Sequence, residues 1–138
     1  MVSGTRTLLF VAALTPLVFG ELTIEPQQPA PGGPVALFWR GKSNDRNPAR
    51  TVVPYVAEVL AFARSELADV SLHFETIEHM NSSTITAIIQ IIQEAKKRGT
   101  QLVIVFDPGK TWQKLSFEAL SVFVKDDGMF RLVGESKS

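Results

Sequence analysis

Apolar residues recur at two periods along this chain, and the switch between them marks out its elements. From Ala49 to Leu67, Val53, Val56, Ala57, Leu60, Ala63 and Leu67 fall three and four residues apart, which lays one apolar face along a helix. Asn47-Pro48 ahead of it reads as a cap followed by proline at the first helical position. Pro54 lies close to the helix start, where a missing N–H costs little. A second helical stripe runs through Ile85, Ile88, Ile89, Ile92 and Ala95, and "KKRG" ends it with cations at the negative helix end and Gly99 as the stop. Ile88 and Ile89 are both expected in the core. Trp112 to Val124 gives a third helix, broken by "DDG".

Between the helices the pattern changes. "VALFWR" (Val35–Arg40) and "VSLHFE" (Val70–Glu75) are rich in β-branched and aromatic residues and read as strands. "QLVIVF" (Gln101–Phe106) is an unbroken apolar run, as a strand covered on both faces requires. "ELTIE" predicts a short edge strand, and "MFRLV" a small closing one. "EPQQPAPGGP", Glu25 to Pro34, has four prolines and two glycines and reads as a loop or extended linker. The cluster "GKSNDRNP", Gly41 to Pro48, reads as a turn. Strand, helix, strand, helix, strand, helix predicts an α/β fold whose neighbouring strands are joined by right-handed crossovers.

The first twenty residues differ in kind. Thr7–Gly20 is an apolar run of fourteen with Arg6 just ahead, short of the roughly 20 residues a membrane span needs. It fits a secretory signal or anchor, with an N-terminal strand or an upstream extension as the alternatives. Residues 1–20 are therefore set apart from a single domain at 21–138. If they are an appendage, a chain starting at Glu21 melts like the full one.

Composition narrows the function classes. The chain has 138 residues, 45% hydrophobic and 20% charged, which suits one folded domain. Fourteen basic residues balance fourteen acidic ones, so charge makes no case for nucleic acid. There is no cysteine, which removes thiol chemistry and any cysteine-ligated metal site, and two histidines argue against a histidine-rich one. No cofactor is expected, and a phosphate-cradling glycine loop, a G-x-S-x-G nucleophile elbow and an H-E-x-x-H metal pair are all missing.

Candidate chemistry gathers at "MNSSTI". Asn81, Ser82, Ser83 and Thr84 stand between a strand and the isoleucine-faced helix. A helix start leaves N–H groups unpaired, and a Ser or Asn oxygen can cap one of them. The same N–H groups favour a phosphate, whose added charge would alter the local surface without moving the core. Glu75, Glu78 and His79 lie nearby, but their spacing shows no convergence on a substrate. Asp107-Pro108-Gly109 follows a buried strand and reads as a turn. Lys96, Lys97 and Arg98 read as a solvated helix end, and Trp39 and Trp112 as core or semi-core aromatics.

The stretch "LHFETIEHMNSSTITAIIQIIQEAKKRGTQLVIVF" resembles the STAS domains of anti-anti-sigma factors, in which a strand is followed by an Asp-Ser-Ser-Gly helix start. It is still more similar to the SiaC-type regulatory phosphoproteins, with an Asn-Thr-Ser-Ser or related start; "LTIEP" and "GKSNDRNP" resemble early segments of that group. The resemblance spans Leu22 to Leu132. It implies a STAS-like mixed sheet with βαβαβα order and about three main helices. It also implies a non-enzymatic regulatory module of a bacterial partner-switching pathway, working in the cytoplasm. Asn81 takes the position of the family Asn or Asp. Ser82 matches the threonine phosphorylated in SiaC-type proteins, and Ser83 the serine marked in anti-anti-sigma factors; Thr84 stands where the latter have glycine. The implied partner is a protein such as a Ser/Thr kinase, a phosphatase or a diguanylate cyclase, with no nucleic acid and no metal. The competing expectation is an exported or membrane-associated ligand-binding domain, if Leu8–Phe19 acts as a signal or anchor.

Overall fold

The computed structural model describes residues 14–136. Its elements are β1 (Leu17–Phe19), β2 (Leu22–Gln27), β3 (Val35–Ser43), α1 (Ala49–Ser65), β4 (Val70–His73), β5 (Ile77–Met80), α2 (Ser82–Arg98), β6 (Leu102–Phe106), α3 (Thr111–Glu118), a 3-10 turn (Ala119–Phe123) and β7 (Phe130–Gly134). All seven strands join one mixed sheet in the order β1-β2-β3-β4-β6-β7, with β5 beside the far end of β3. β2 runs antiparallel to both of its neighbours, β1 and β3, while the β3–β4, β3–β5, β4–β6 and β6–β7 pairs are parallel. The parallel part follows from the expected α/β alternation, because each of its crossovers carries a helix or a long connection back over the sheet.

Alternation along the strands sorts the side chains. Val35, Leu37 and Trp39 of β3, Val70 and Leu72 of β4, and Leu102 and Ile104 of β6 are all buried and share the face under the helices. Val52, Val56, Val59, Leu60 and Ala63 of α1 and Ala87, Ile88, Ile91, Ile92 and Ala95 of α2 complete this core. Trp39, Phe74, Phe117 and Phe106 extend it as a chain of rings with centroids 4.6, 4.9 and 5.5 Å apart.

Several expectations need correction. "ELTIE" is not an edge strand, because β1 covers β2 from outside. The proline-rich loop begins only after Gln27. Pro26 stays in β2 because it lies beyond the β1 pairing, where a missing N–H leaves no ladder bond unmade. β3 runs on through Gly41–Ser43, previously read as turn. Gly41 has φ 82°, and a Cβ there would collide with the Glu21 carbonyl oxygen, so only glycine fits this irregular point of the strand. The β3–β5 register shifts at the same place, between Gly41 and Lys42.

Asn47 does not cap α1. Pro48 occupies the cap position without a side-chain bond, and the Asn47 N–H donates to Asp45 Oδ1 at 2.9 Å. Leu67 leaves the apolar face: α1 ends at Ser65, and Leu67 sits at φ 55° and 81% exposed. Ala68 is buried in its stead, its N–H donating to the Ala63 carbonyl at 2.8 Å. On α2, Ile89 is half-buried and Ile91 is the core residue. The strand from Val70 stops at His73, and the third helix tightens to 3-10 geometry after Glu118. β5 had no expectation at all. Of the N-terminal apolar run, residues 7–13 lie outside the described residues, together with the rest of 1–13. Leu17–Phe19 form β1, and Leu14, Leu17 and Phe19 pack against the core. Among the described residues no helix is long and apolar enough to cross a membrane.

Candidate functional site

The four residues singled out at the second helix start have four different situations. Asn81 is the cap. Its Oδ1 accepts the Thr84 N–H at 2.9 Å and the Thr84 hydroxyl at 2.8 Å, while its Nδ2 donates to the Asp45 carbonyl at 2.8 Å. The Asn81 N–H donates to the Ser43 carbonyl at 3.0 Å. Thr84 is fully buried, and its hydroxyl lies 2.6 Å from Ser43 Oγ and 3.1 Å from the Ser43 carbonyl. The start of α2 is therefore fastened to the end of β3 and to the loop that follows it.

Ser82 and Ser83 stand at the first two helical positions. Ser82 is exposed and Ser83 half-buried. The Ser82 carbonyl accepts the Thr86 hydroxyl at 3.3 Å, but among the described residues nothing hydrogen-bonds the Ser82 hydroxyl. With Asn81 acting as cap, neither serine performs that task. The Ser82 hydroxyl stands in solvent at the positive end of a 17-residue helix. A phosphate there would meet a favourable field and displace nothing from the core.

The structure sets the other candidates apart. Glu78 and His79 are exposed on β5, whereas Glu75 is buried and its carboxylate lies 3.3 Å from His73 Nδ1. Exposure separates them, with Glu78 and His79 facing solvent and Glu75 buried beside His73. Asp107 closes its turn by accepting the Gly109 N–H at 2.8 Å. Buried Gln113 stitches that turn to the neighbouring strand, accepting from Asp107 N–H and donating to the Phe74 carbonyl, each at 2.8 Å. Lys96 donates to the Phe123 carbonyl at 2.8 Å and Arg98 pairs with Glu94 at 3.0 Å, so this basic helix end is partly structural. Trp39 is fully buried and Trp112 half-buried against the core. Among the described residues, no group of three or more His, Cys, Asp or Glu could hold a metal ion.

Sequence reasoning missed Ser43 and Asp45. They lie 41 and 36 residues before their partners Thr84 and Asn81, and no local pattern in a turn-like "GKSNDRNP" announces such bonds. A family model described as the STAS domain matches residues 43–133, beginning at Ser43 itself. No curated protein matches the chain.

Proposed function

Because the chain belongs to the STAS-domain family, we propose that it is a non-enzymatic regulatory module whose protein partner docks around the start of α2. A Ser/Thr kinase places a phosphate on Ser82 and a phosphatase removes it; Ser83 is the reserve acceptor. The observation that carries this reading is the division of labour at the helix start. Asn81 caps, Thr84 anchors, and Ser82 keeps an exposed hydroxyl with no structural duty. New charge there alters the docking surface and leaves the fold alone.

The resemblance to SiaC-type phosphoproteins favours a diguanylate cyclase or a kinase as partner. The anti-anti-sigma resemblance favours a kinase that also restrains a sigma factor. Both resemblances favour a cytoplasmic protein; in this reading residues 21–138 form the interacting domain and Leu17–Phe19 an added edge strand.

The test combines mass spectrometry of the protein purified with its kinase and pull-downs of the partner. Ser82 carries the phosphate, Ser82→Asp weakens the pull-down, and Ser82→Ala abolishes phosphorylation while keeping the interaction. Phosphate on neither serine, with the pull-down unchanged by Asp at either position, overturns the proposal.

A further inference from the structure

A second group of polar side chains lies on β4, on the sheet face turned away from α1 and α2. Val70 and Leu72 point under the helices, so Ser71 and His73 point the other way. Ser71 Oγ lies 3.0 Å from His73 Nε2, and His73 Nδ1 lies 3.3 Å from the Glu75 carboxylate. In the tautomer whose Nδ1–H donates to Glu75, Nε2 is left to accept the Ser71 O–H. Phe38 stacks on the imidazole with centroids 4.5 Å apart and planes at 24°, fixing the ring. The His73 and Glu75 side chains are 19% and 4% exposed. A hydroxyl, a base within reach of it and a third group orienting the base are the parts of an activated nucleophile.

We infer that Ser71 is an acyl-acceptor site: the Ser71–His73–Glu75 hydrogen-bonded chain activates its hydroxyl toward activated esters carrying a short aliphatic acyl group. Register places Ala36 and Val103 on either side of Ser71, and Phe38 and Val105 on either side of His73, so an apolar acyl chain meets apolar neighbours. β4 is paired along both edges, which engages its backbone N–H groups in the ladder. The carbonyl must then be activated by its own leaving group, and aryl esters and thioesters supply that. In the transfer, Ser71 Oγ bonds to the acyl carbon and the bond from that carbon to the leaving oxygen or sulfur breaks. The hydroxyl proton passes to His73 Nε2 and then to the departing group. Glu75 acts as a positioning residue through the imidazole. The product is a modified serine and involves no turnover, so it is compatible with a regulatory module and independent of Ser82.

The probe is p-nitrophenyl acetate, mixed with the full chain at one equivalent. Nitrophenolate release is followed by absorbance and the acetyl group is located by peptide mass mapping. One acetyl on Ser71 is expected, and Ser71→Ala loses that labelled peptide. His73→Gln slows labelling about a hundredfold, and added imidazole restores it in His73→Gly. Glu75→Gln slows labelling and removes the downfield Nδ1–H proton resonance of His73, which Ser71→Ala retains. Circular dichroism checks each fold; if the buried Glu75→Gln variant does not fold, the Ser71 and His73 variants decide the matter. Acetyl on residues other than Ser71, or Ser71 labelling unchanged in His73→Gln, overturns the inference.

Discussion

Asn81 and Ser82 are neighbours with opposite duties, and substitution separates them. Asn81→Ala removes the acceptor for the Thr84 N–H and the donor to the Asp45 carbonyl. A lost cap costs about 1–2 kcal/mol, so urea denaturation of this variant gives a clearly lower midpoint. Ser82→Ala touches neither bond, and its midpoint matches that of the parent chain. Thr84→Val is more costly than its conservative shape implies. It leaves buried Ser43 Oγ without its 2.6 Å partner and one lone pair of Asn81 Oδ1 unused. Removing one partner of a buried hydrogen bond costs about 1–3 kcal/mol. A Ser82 variant as destabilised as Asn81→Ala would show that the serine supports the helix start after all.

At the scale of elements, α2 shows how a stripe becomes a face. Four isoleucines at three- and four-residue spacing surround the helix more broadly than the core requires. The sheet and α1 bury Ile88 and Ile92, together with Ile91, and leave Ile85 and Ile89 half-buried at the margins. Ile88→Ala creates a cavity in a closed site and costs about 2–5 kcal/mol by chemical denaturation. Ile89→Ala costs about 1 kcal/mol, because water or a neighbouring side chain can occupy part of the space. Equal losses at both positions would mean that Ile89 is covered by a packing partner. The third helix shows the reverse case. It carries a helical pattern to Val124, but α3 ends at Glu118, and the following 3-10 turn leaves Val122 and Val124 66% and 41% exposed.

For the whole molecule, the N-terminal strand is tied on in two ways. β1 extends the sheet, and the hydroxyl of Tyr55 on α1 donates to the Thr15 carbonyl at 2.6 Å. Burial pushes the Tyr55 phenol from its usual 10.0 up to about 12. The folded state therefore holds the phenolic proton more tightly than the unfolded chain does. Stability from this group is fully present below about pH 10 and is lost as pH rises from there through about 12. Tyr55 is the sole tyrosine, so a spectrophotometric titration reads it directly. A chain beginning at Glu21 lacks Thr15, β1 and the packing of Leu14, Leu17 and Phe19 on the core. It is expected to lose about 2 kcal/mol or more, given what burial of apolar side chains is worth. Its phenol titrates closer to the ordinary value. Unchanged melting and titration would make β1 a detachable addition, as a processed leader requires.

The sequence by itself determined the layers of this protein. Helical periodicity is local, so Val56, Leu60, Ile88 and Ile92 announced their burial without knowledge of what covers them. Gly99 marked the end of α2 for an equally local reason, since the helix stops there at φ 72°. The short motif around Asn81 was legible because capping acts over three residues. What only the tertiary structure decided are contacts between distant segments. Whether "ELTIE" lies at an edge depended on Leu17–Phe19 pairing outside it. Whether "IEHM" forms a strand depended on β3 offering a second parallel partner beyond Gly41. Leu67 left the core because the turn into β4 closed one residue later, on Ala68. The choice among Asn81, Ser82, Ser83 and Thr84 also depended on such distances. Each could cap or be modified as far as local chemistry goes, and it was the approach of Ser43 and Asp45, some forty residues earlier in the chain, that committed Asn81 and Thr84 to the fold and left Ser82 in solvent.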